Sequence, residues 1–494
     1  MKVLLVYPNT YLDINVPVGV STLSAVLKRA GHEVSVFDFT FIKTNITDGL
    51  PKPTPVGFLA TAYTIDDLVK NDPVESIEDK FLKHLKSFQP DLIGLSATTH
   101  RFDMGIQLLD KFRSQLKCPV VVGGVHPTTA PEDALRPEVV DMICIGEGED
   151  FIIELCDCLT RRKDYKGIRN LGYKTLGGIR LNALRPLIDM DSLPTPDWSA
   201  FDERHLFRPF MGQVYKGGFY SMSRGCPYNC SYCYNKAQRR QFKGCGTYYR
   251  FEKASTTIAH LTEMKKKYGA TWYKFGDDSL LSLPETHLEE LAEGFKCLGI
   301  NFGCHIRPET VTESKVTMFK KMGCVAMTAG IESGNPSLRQ KVLNRKMSDK
   351  QIESAMSILK KHNIRITTFN LIGIPGETRE DVFATIRLNR KIGAGASTVH
   401  PLYPYPGTDI AIQYKTSFRD NNGEIVPFSK GAIFGLSQMP PTEVEGLVKT
   451  FNLYLLLPEE LWPIIGLSEE SDKTNDIIYN ALLKYSNVLI NKRR

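Results

Sequence analysis

Three of the chain's eleven cysteines, Cys226, Cys230 and Cys233, fall within eight residues in the stretch SRGCPYNCSYCYN, Ser223–Asn235. Gly225, Pro227 and Asn229 favour a loop there, so the three thiols can converge on one point. Soft thiolates select zinc or an iron–sulfur cluster. Structural zinc takes four protein ligands, and Cys245, twelve residues on, is an available fourth. A four-iron cluster held by three cysteines instead leaves one iron open to a small molecule. A disulfide with a spare thiol is the third reading. It fits an oxidising compartment, and the start MKVLLVYPNT has neither the apolar run nor the cleavage site of a secretory signal. A cytoplasmic location is therefore expected, and a metal is favoured over a disulfide. Cys144, Cys156, Cys158, Cys297 and Cys324 lie on apolar faces, Cys118 and Cys304 lack metal spacing, and all seven read as core cysteines.

Further polar residues sit where strands are expected to end. Asp277 and Asp278 in FGDDS either cap the next helix or accept hydrogen bonds from a ligand's ammonium group. Glu332 in GIESG is expected to be buried and so to need a partner, which Arg307 in HIRPE or a ligand could supply. Gly373, Pro375 and Gly376 in LIGIPGET either form a turn or bring backbone close to a flat ligand.

The elements that must position these residues repeat through the chain. KVLLVY, VSVFDF, DLIGLSA, PVVVGG and DMICIG read as buried parallel strands in the first 150 residues, with helical patterns between them. That alternation predicts a doubly wound sheet with its ligand beyond the strands' carboxyl ends. The stretch from about Phe41 to Ile77 is an insertion, read as a flap or a domain contact. RPLIDMDSLPTPDW, Arg185–Trp198, is rich in proline and marks a linker. From Gly218 the strands FYSMS, TWYKFG, NFGCHI, CVAMTAGI, RITTFNLIGI and STVHPLY alternate with helices, one of them opened by a Ser348–Gln351 capping box. Six such units predict a partial barrel whose chemistry lies at the carboxyl ends of its strands. Beyond Pro404 the pattern is mainly helical. The expected fold is α/β, with residues 1–184 a Rossmann-like domain, 185–217 a linker, 218–410 a partial (β/α)6 barrel and 411–494 a helical domain.

The net charge of +7 is spread along the chain, so nucleic-acid binding is not expected. No stretch approaches the roughly 20 apolar residues of a membrane span. Phe451–Leu467 is the most apolar segment, and Pro458, Glu459 and Glu460 interrupt it.

The ordered string of motifs resembles the radical S-adenosylmethionine (SAM) superfamily, in the branch that carries an N-terminal cobalamin-binding domain. The resemblance covers about residues 1–410 and implies a [4Fe–4S] cluster on Cys226, Cys230 and Cys233, whose open iron binds SAM. It implies SAM contacts from Tyr232, Gly276, Asp277, Asp278, Arg307, Glu332, Ser333 and Pro375. In the first domain it places Ser96, Thr98, Gly123, Gly124 and Gly146 on cobalamin. Asn15 stands where some cobalamin domains carry a cobalt-binding histidine, in DINVPVG, and His126 reads as a loop residue rather than a ligand. The implied activity is SAM cleavage to a 5′-deoxyadenosyl radical, with cobalamin-dependent methyl transfer to an unactivated carbon of a small-molecule or lipid-like substrate. The alternatives are a radical SAM oxidoreductase, cyclase or ring-rearranging enzyme without methyl transfer, and a non-catalytic iron–sulfur protein. The resemblance also implies a one-electron reductant such as flavodoxin or ferredoxin. His400, Tyr403 and Tyr405 follow the last barrel strand and are candidates to face the substrate.

Overall fold

The computed structural model describes residues 1–42, 68–69, 72, 75–210, 213–470 and 472–492. Most of the insertion from Phe41 to Ile77 lies outside them.

The first sheet begins with β1 (Lys2–Tyr7), β2 (Glu33–Asp38), β3 (Leu92–Ser96), β4 (Val120–Gly123) and β5 (Met142–Cys144), all parallel and in spatial order 2-1-3-4-5. Val3–Val6, Leu92–Leu95 and Val120–Val122 are buried along their whole length, which is why they read as unbroken apolar runs. A hairpin, β6 (Leu171–Thr175) and β7 (Gly178–Leu181), extends this sheet antiparallel at the β5 edge. The two-residue Leu176–Gly177 link between them is a short-hairpin signal that the run of apolar strands outweighed.

The expected linker holds more structure than its composition suggests. After three 3₁₀ turns come β8 (Phe207–Phe210) and β9 (Gln213–Tyr220), an antiparallel pair. The first barrel strand therefore runs up to Tyr220 rather than starting at Phe219. A two-residue pair follows, β10 (Ser223–Arg224) with β11 (Arg250–Phe251). The second sheet then continues with β12 (Trp272–Phe275), β13 (Asn301–Ile306), β14 (Cys324–Glu332), β15 (Arg365–Ile372) and β16 (Ser397–Pro401). Its order is 16-15-14-13-12-9-8, with the six strands from β9 to β16 parallel and β8 on the open edge. This is the partial barrel.

Strand β15 alternates strictly, with Ile366, Thr368, Asn370 and Ile372 buried against helices and Arg365, Thr367, Phe369 and Leu371 facing the barrel interior. The Ser348–Gln351 capping box forms and opens the helix Asp349–Lys361. The helices Pro441–Leu456, Trp462–Leu467 and Lys473–Lys492 share one core with the barrel, in which Leu447, Phe451 and Tyr454 meet Ile372, Ile386 and Val399. No helix among the described residues is long and apolar enough to cross a membrane.

Candidate active site

The cysteine loop leaves β10 through Gly225, at φ +83°, where a Cβ would lie 2.5 Å from the Tyr248 carbonyl oxygen. Only glycine turns the chain there without a clash. The helix Tyr234–Gln241 begins directly after Cys233. Cys226 and Cys230 are buried, and burial pushes the thiol of Cys226 up to about 11 and that of Cys233 to about 12. A coordinating metal deprotonates such thiols outright. Arg307 Nη1 donates to Cys230 Sγ at 3.1 Å, and Arg345 Nη1 lies 3.9 Å from the same sulfur. Two guanidinium groups on one buried sulfur suit a charged thiolate. Among the described residues, no three His, Cys, Asp or Glu side chains are placed to hold a single metal ion, with or without Cys245. A four-iron cube spreads its thiolates over separate corners and needs only three of them, so three cysteines in one loop fit such a cluster.

Around the loop stand polar residues at strand ends, one of them under strain. Glu332 ends β14 with φ +67°, at a register shift between Gly330 and Glu332. A non-glycine residue held there costs about 1–3 kcal/mol and points to a functional constraint. Its buried carboxyl lies 3.4 Å from Arg345 Nη1, and burial raises its pKa against the pull of that arginine. Arg345 also donates to the Gly330 carbonyl at 2.5 Å and to the Tyr232 hydroxyl at 3.3 Å. Arg307 is held by Glu309 through bonds of 2.9 and 2.5 Å and lies 3.7 Å from the centre of the Tyr228 ring. Asp277 Oδ1 accepts from the Ser223 amide at 2.7 Å and its hydroxyl at 2.5 Å, while Oδ2 is buried without a donor. Burial pushes Asp277 up to about 7 despite those bonds. Asp278 beside it is pushed by its surroundings to about 6, yet its side chain is open to an adjoining cavity.

That cavity, of about 440 Å³, lies where the carboxyl ends of both sheets meet. Gly94, Ser96, Gly123, Gly124 and Gly146 form one wall, and Gly225, Tyr234, Asn235, Gly276 and Asp278 face them from the barrel. The glycines leave main chain at the surface of the first wall, as close approach to a flat ligand requires. Arg224 ties the walls together, donating to Glu147 at 2.9 Å and Glu149 at 2.5 Å, and Arg250 pairs with Glu147 from the same side. The second carboxylate oxygen of Glu149 is buried and accepts no hydrogen bond.

Residues 220–388 match the Radical SAM superfamily, and residues 57–155 match the B12 binding domain. The chain carries a radical SAM domain and a B12 binding domain. It is 28% identical to an uncharacterised methyltransferase of Pyrococcus horikoshii, over 83% of this chain and 82% of the relative. It is 22% identical to the anaerobic magnesium-protoporphyrin IX monomethyl ester cyclase of Rubrivivax gelatinosus, over 67% of this chain and 60% of that one. The fold matches that of the radical SAM methyltransferase TsrM from Kitasatospora setae, solved with cobalamin and a [4Fe–4S] cluster bound. The TM-score is 0.69, with 16% identity and 99% of each chain covered.

The radical SAM domain brings Tyr232, Asp277, Arg307 and Glu332 around the cysteine loop, whereas Gly276 and Asp278 face the cavity. Neither bland reading of these groups applies. Asp277 caps no helix but anchors Ser223, and the partner of Glu332 is Arg345, not Arg307. The Ser333 hydroxyl accepts the Asn335 amide, and Pro375 sits buried in a turn closed by the Glu377 carboxylate on the Gly373 and Ile374 amides. In the B12 binding domain, Ser96, Gly123, Gly124 and Gly146 line the cavity, but Thr98 is exposed at the start of the helix Thr99–Lys111. Asn15 does not line the cavity and donates to Asp13. His126 is buried against Asp133 at 3.1 Å. Tyr403 and Tyr405 gather around His100 of the first domain, and His400 packs on Phe428 beside them, so this aromatic group joins domains without lining the cavity. Arg345 and the Arg224–Glu147–Glu149 ties escaped the sequence reading. Arg345 follows a short irregular helical turn with no periodic pattern, and the ties join residues about 75 positions apart.

Proposed function

We propose that this protein is a cytoplasmic radical SAM enzyme that transfers a methyl group to an unactivated carbon of a small-molecule or lipid-like substrate. Cys226, Cys230 and Cys233 would hold the [4Fe–4S] cluster, and the wall of Ser96, Gly123, Gly124 and Gly146 would receive cobalamin. The working division is residues 1–184 for the cobalamin domain, 185–217 for the linker, 218–410 for the barrel and 411–494 for the helical region. The observation that carries the reading is the cavity in which the glycine wall of one sheet stands opposite Arg224, Gly225, Tyr234 and Asn235, the residues that flank the three cysteines in the other. When bound, the cluster supplies the electron that breaks a C–S bond of SAM, and the cobalamin supplies the methyl group.

The chain's own residues do the positioning. Arg307 and Arg345 place positive charge against Cys230, which stabilises the thiolate. The donor-free Oδ2 of Asp277, with Asp278 and Glu332, offers acceptors for the ammonium and ribose hydroxyls of SAM. Arg345 holds the Tyr232 hydroxyl and the Glu332 carboxylate in one arrangement. Arg224, clamped on Glu147 and Glu149, fixes the cysteine loop against the cobalamin wall, which sets the distance between the two cofactors. A flavodoxin- or ferredoxin-type protein would deliver the electron. The resemblance to the magnesium-protoporphyrin cyclase supports a second reading, oxidation or cyclisation without methyl transfer.

The test is anaerobic preparation with iron, sulfide and cobalamin supplied, followed by incubation with SAM and a reductant. Iron–sulfur absorption, stoichiometric corrinoid, and release of both 5′-deoxyadenosine and S-adenosylhomocysteine are expected. Cluster and 5′-deoxyadenosine without corrinoid would favour the cyclase-type reading. Absence of the cluster would remove both.

A further inference from the structure

The seven strands of the barrel sheet contain one acidic residue, Glu332 at the end of β14, and it is paired with Arg345. The same sheet turns three cations inward, Arg365 at the start of β15, Lys274 of β12 and Arg208 of β8. Tyr273 and Phe275 of β12 pack into the helix-covered core, so Lys274 between them faces the barrel interior. Arg208 of β8 lies opposite Tyr215 of β9, and Phe219, on the same face of β9, lies opposite Lys274. The Phe210 and Trp272 rings, 5.6 Å apart, confirm that β8 and β12 present these residues to one side.

Among the described residues neither Lys274 nor Arg208 forms an ion pair, although the Asp13 carboxylate, itself 3.8 Å from Arg101, acts on Arg208 from a distance. Lys274 Nζ makes one hydrogen bond, 3.3 Å to Thr328 Oγ1, and no described carboxylate lies within ion-pair distance of it. Arg208 donates from Nη1 to the Phe207 carbonyl at 2.9 Å, while its buried Nε and Nη2 have no acceptor. Burial lowers the pKa of Lys274 and, against the pull of Asp13, brings that of Arg208 down to about 10. An unpaired buried charge is costly, and a structure retains one where something else supplies the opposite charge. Gly303 lies opposite Lys274 in the strand pair and leaves the lysine stem free to lie across it, and the Thr328 and Thr367 hydroxyls, 2.8 Å apart, stand next to the amine. His305 shares this face, with its ring kept neutral by burial and by Lys274.

We propose that the barrel interior binds its substrate through an anionic oxyacid group, a carboxylate or a phosphate ester, that Lys274 receives beside Thr328 and Thr367, with Arg208 as a second cation on the same face. This rests on the radical SAM reading and adds the substrate's charge to it.

The test titrates the reconstituted protein with inorganic phosphate and with acetate, each at constant ionic strength in chloride, by calorimetry. Saturable binding of at least one anion is expected, weakened about tenfold or more in Lys274→Met and much less in Lys274→Arg. Tighter phosphate supports a phosphate ester, and tighter acetate supports a carboxylate. Binding of neither, or unchanged binding in Lys274→Met, would overturn the proposal. Protection of Lys274 from an amine-acylating reagent, read by peptide mass spectrometry on the wild-type protein, gives the same answer should the variant fold poorly. Reductive SAM cleavage by the same wild-type preparation keeps the two claims apart. Cleavage without anion binding removes only this inference, whereas no cleavage removes the reading beneath it.

Discussion

The two walls of the cavity are built on opposite principles. The first-domain wall offers glycines and exposed main chain at the ends of β3, β4 and β5, with Ser96 its polar side chain among the proposed contacts and its charges, Glu147 and Glu149, taken up by Arg224. The barrel wall and the loop behind it offer charge, with Asp277, Asp278, Glu332, Arg307 and Arg345 gathered at the strand ends around three thiols. A surface made of backbone recognises shape, because whatever fills it must match its contour and gains mostly by burial. A surface of buried, incompletely satisfied charges recognises electrostatics, and it places the greater demand on stability. The difference implies that damage to the barrel side should abolish chemistry or folding, whereas damage to the glycine side should cost only what that side holds.

The sharpest test of the barrel side is Cys230→Ala. It removes the thiol that two guanidinium groups address. Iron–sulfur absorption and 5′-deoxyadenosine formation should both fall to background. A variant that kept a full cluster would mean that the loop is not the cluster site, and the contrast between the walls would lose its centre.

Next in size is Arg345→Met. Glu332 would be left buried without its ion-pair partner, a change that costs about 3–5 kcal/mol. The unfolding midpoint in denaturant should drop accordingly. Combining Arg345→Met with Glu332→Gln should recover a large part of the loss, because the stranded charge is gone. Additive losses in the double variant would show that the pair is not coupled.

The glycine side predicts a separation of functions. Gly124 has φ +104°, and a Cβ there would lie 2.6 Å from the Ala97 carbonyl oxygen, which is backbone and cannot swing away. Gly124→Ala should therefore shift the wall at a cost of about 1–3 kcal/mol and weaken corrinoid retention about tenfold or more. The cluster and SAM cleavage should remain. Equal corrinoid content in variant and wild type would refute the assignment of this wall.

The same contrast governs what could be read before the structure. The cysteine loop is local, with three thiols in one short stretch, so its spacing could be read directly in the sequence. The buried strands of the first sheet were legible because both of their faces are covered and their apolar runs are unbroken. Charges that meet only through the fold were not. Arg345 reaches Cys230 and Tyr232 from 115 and 113 residues away, and nothing in the sequence around it marks an inward-pointing guanidinium. Glu332 was expected to need a partner, because burial of a carboxylate demands one, and Arg307 or a ligand was read for that place, whereas the protein side chain that pairs with it is Arg345. β8 was hidden for another reason: four residues that include Pro209 at a sheet edge carry no alternation to detect.

A pH-dependent effect concerns Asp277, and it separates charge from shape at a single atom. Its pKa in the folded protein is raised to about 7 by burial, above that of an unfolded aspartate near 4. Between those values the folded state holds a proton that the unfolded state has lost, so stability falls as pH rises through the window and the penalty is complete above about 7. Asp277→Asn keeps an oxygen for the Ser223 amide and hydroxyl and removes the ionisation. Without bound ligands, the variant should match wild type near pH 4 and exceed it by up to a few kcal/mol at pH 8, in thermal or denaturant unfolding. Asp278, which is pushed to about 6, should leave a weaker slope of the same sign in the variant. With SAM added the order should reverse, because the wild-type carboxylate gains the ammonium it lacks and the amide does not. A variant that SAM stabilises as much as it does wild type would show that the buried oxygen of Asp277 is merely tolerated, and that the barrel wall holds its ligand through Asp278 and Glu332 alone.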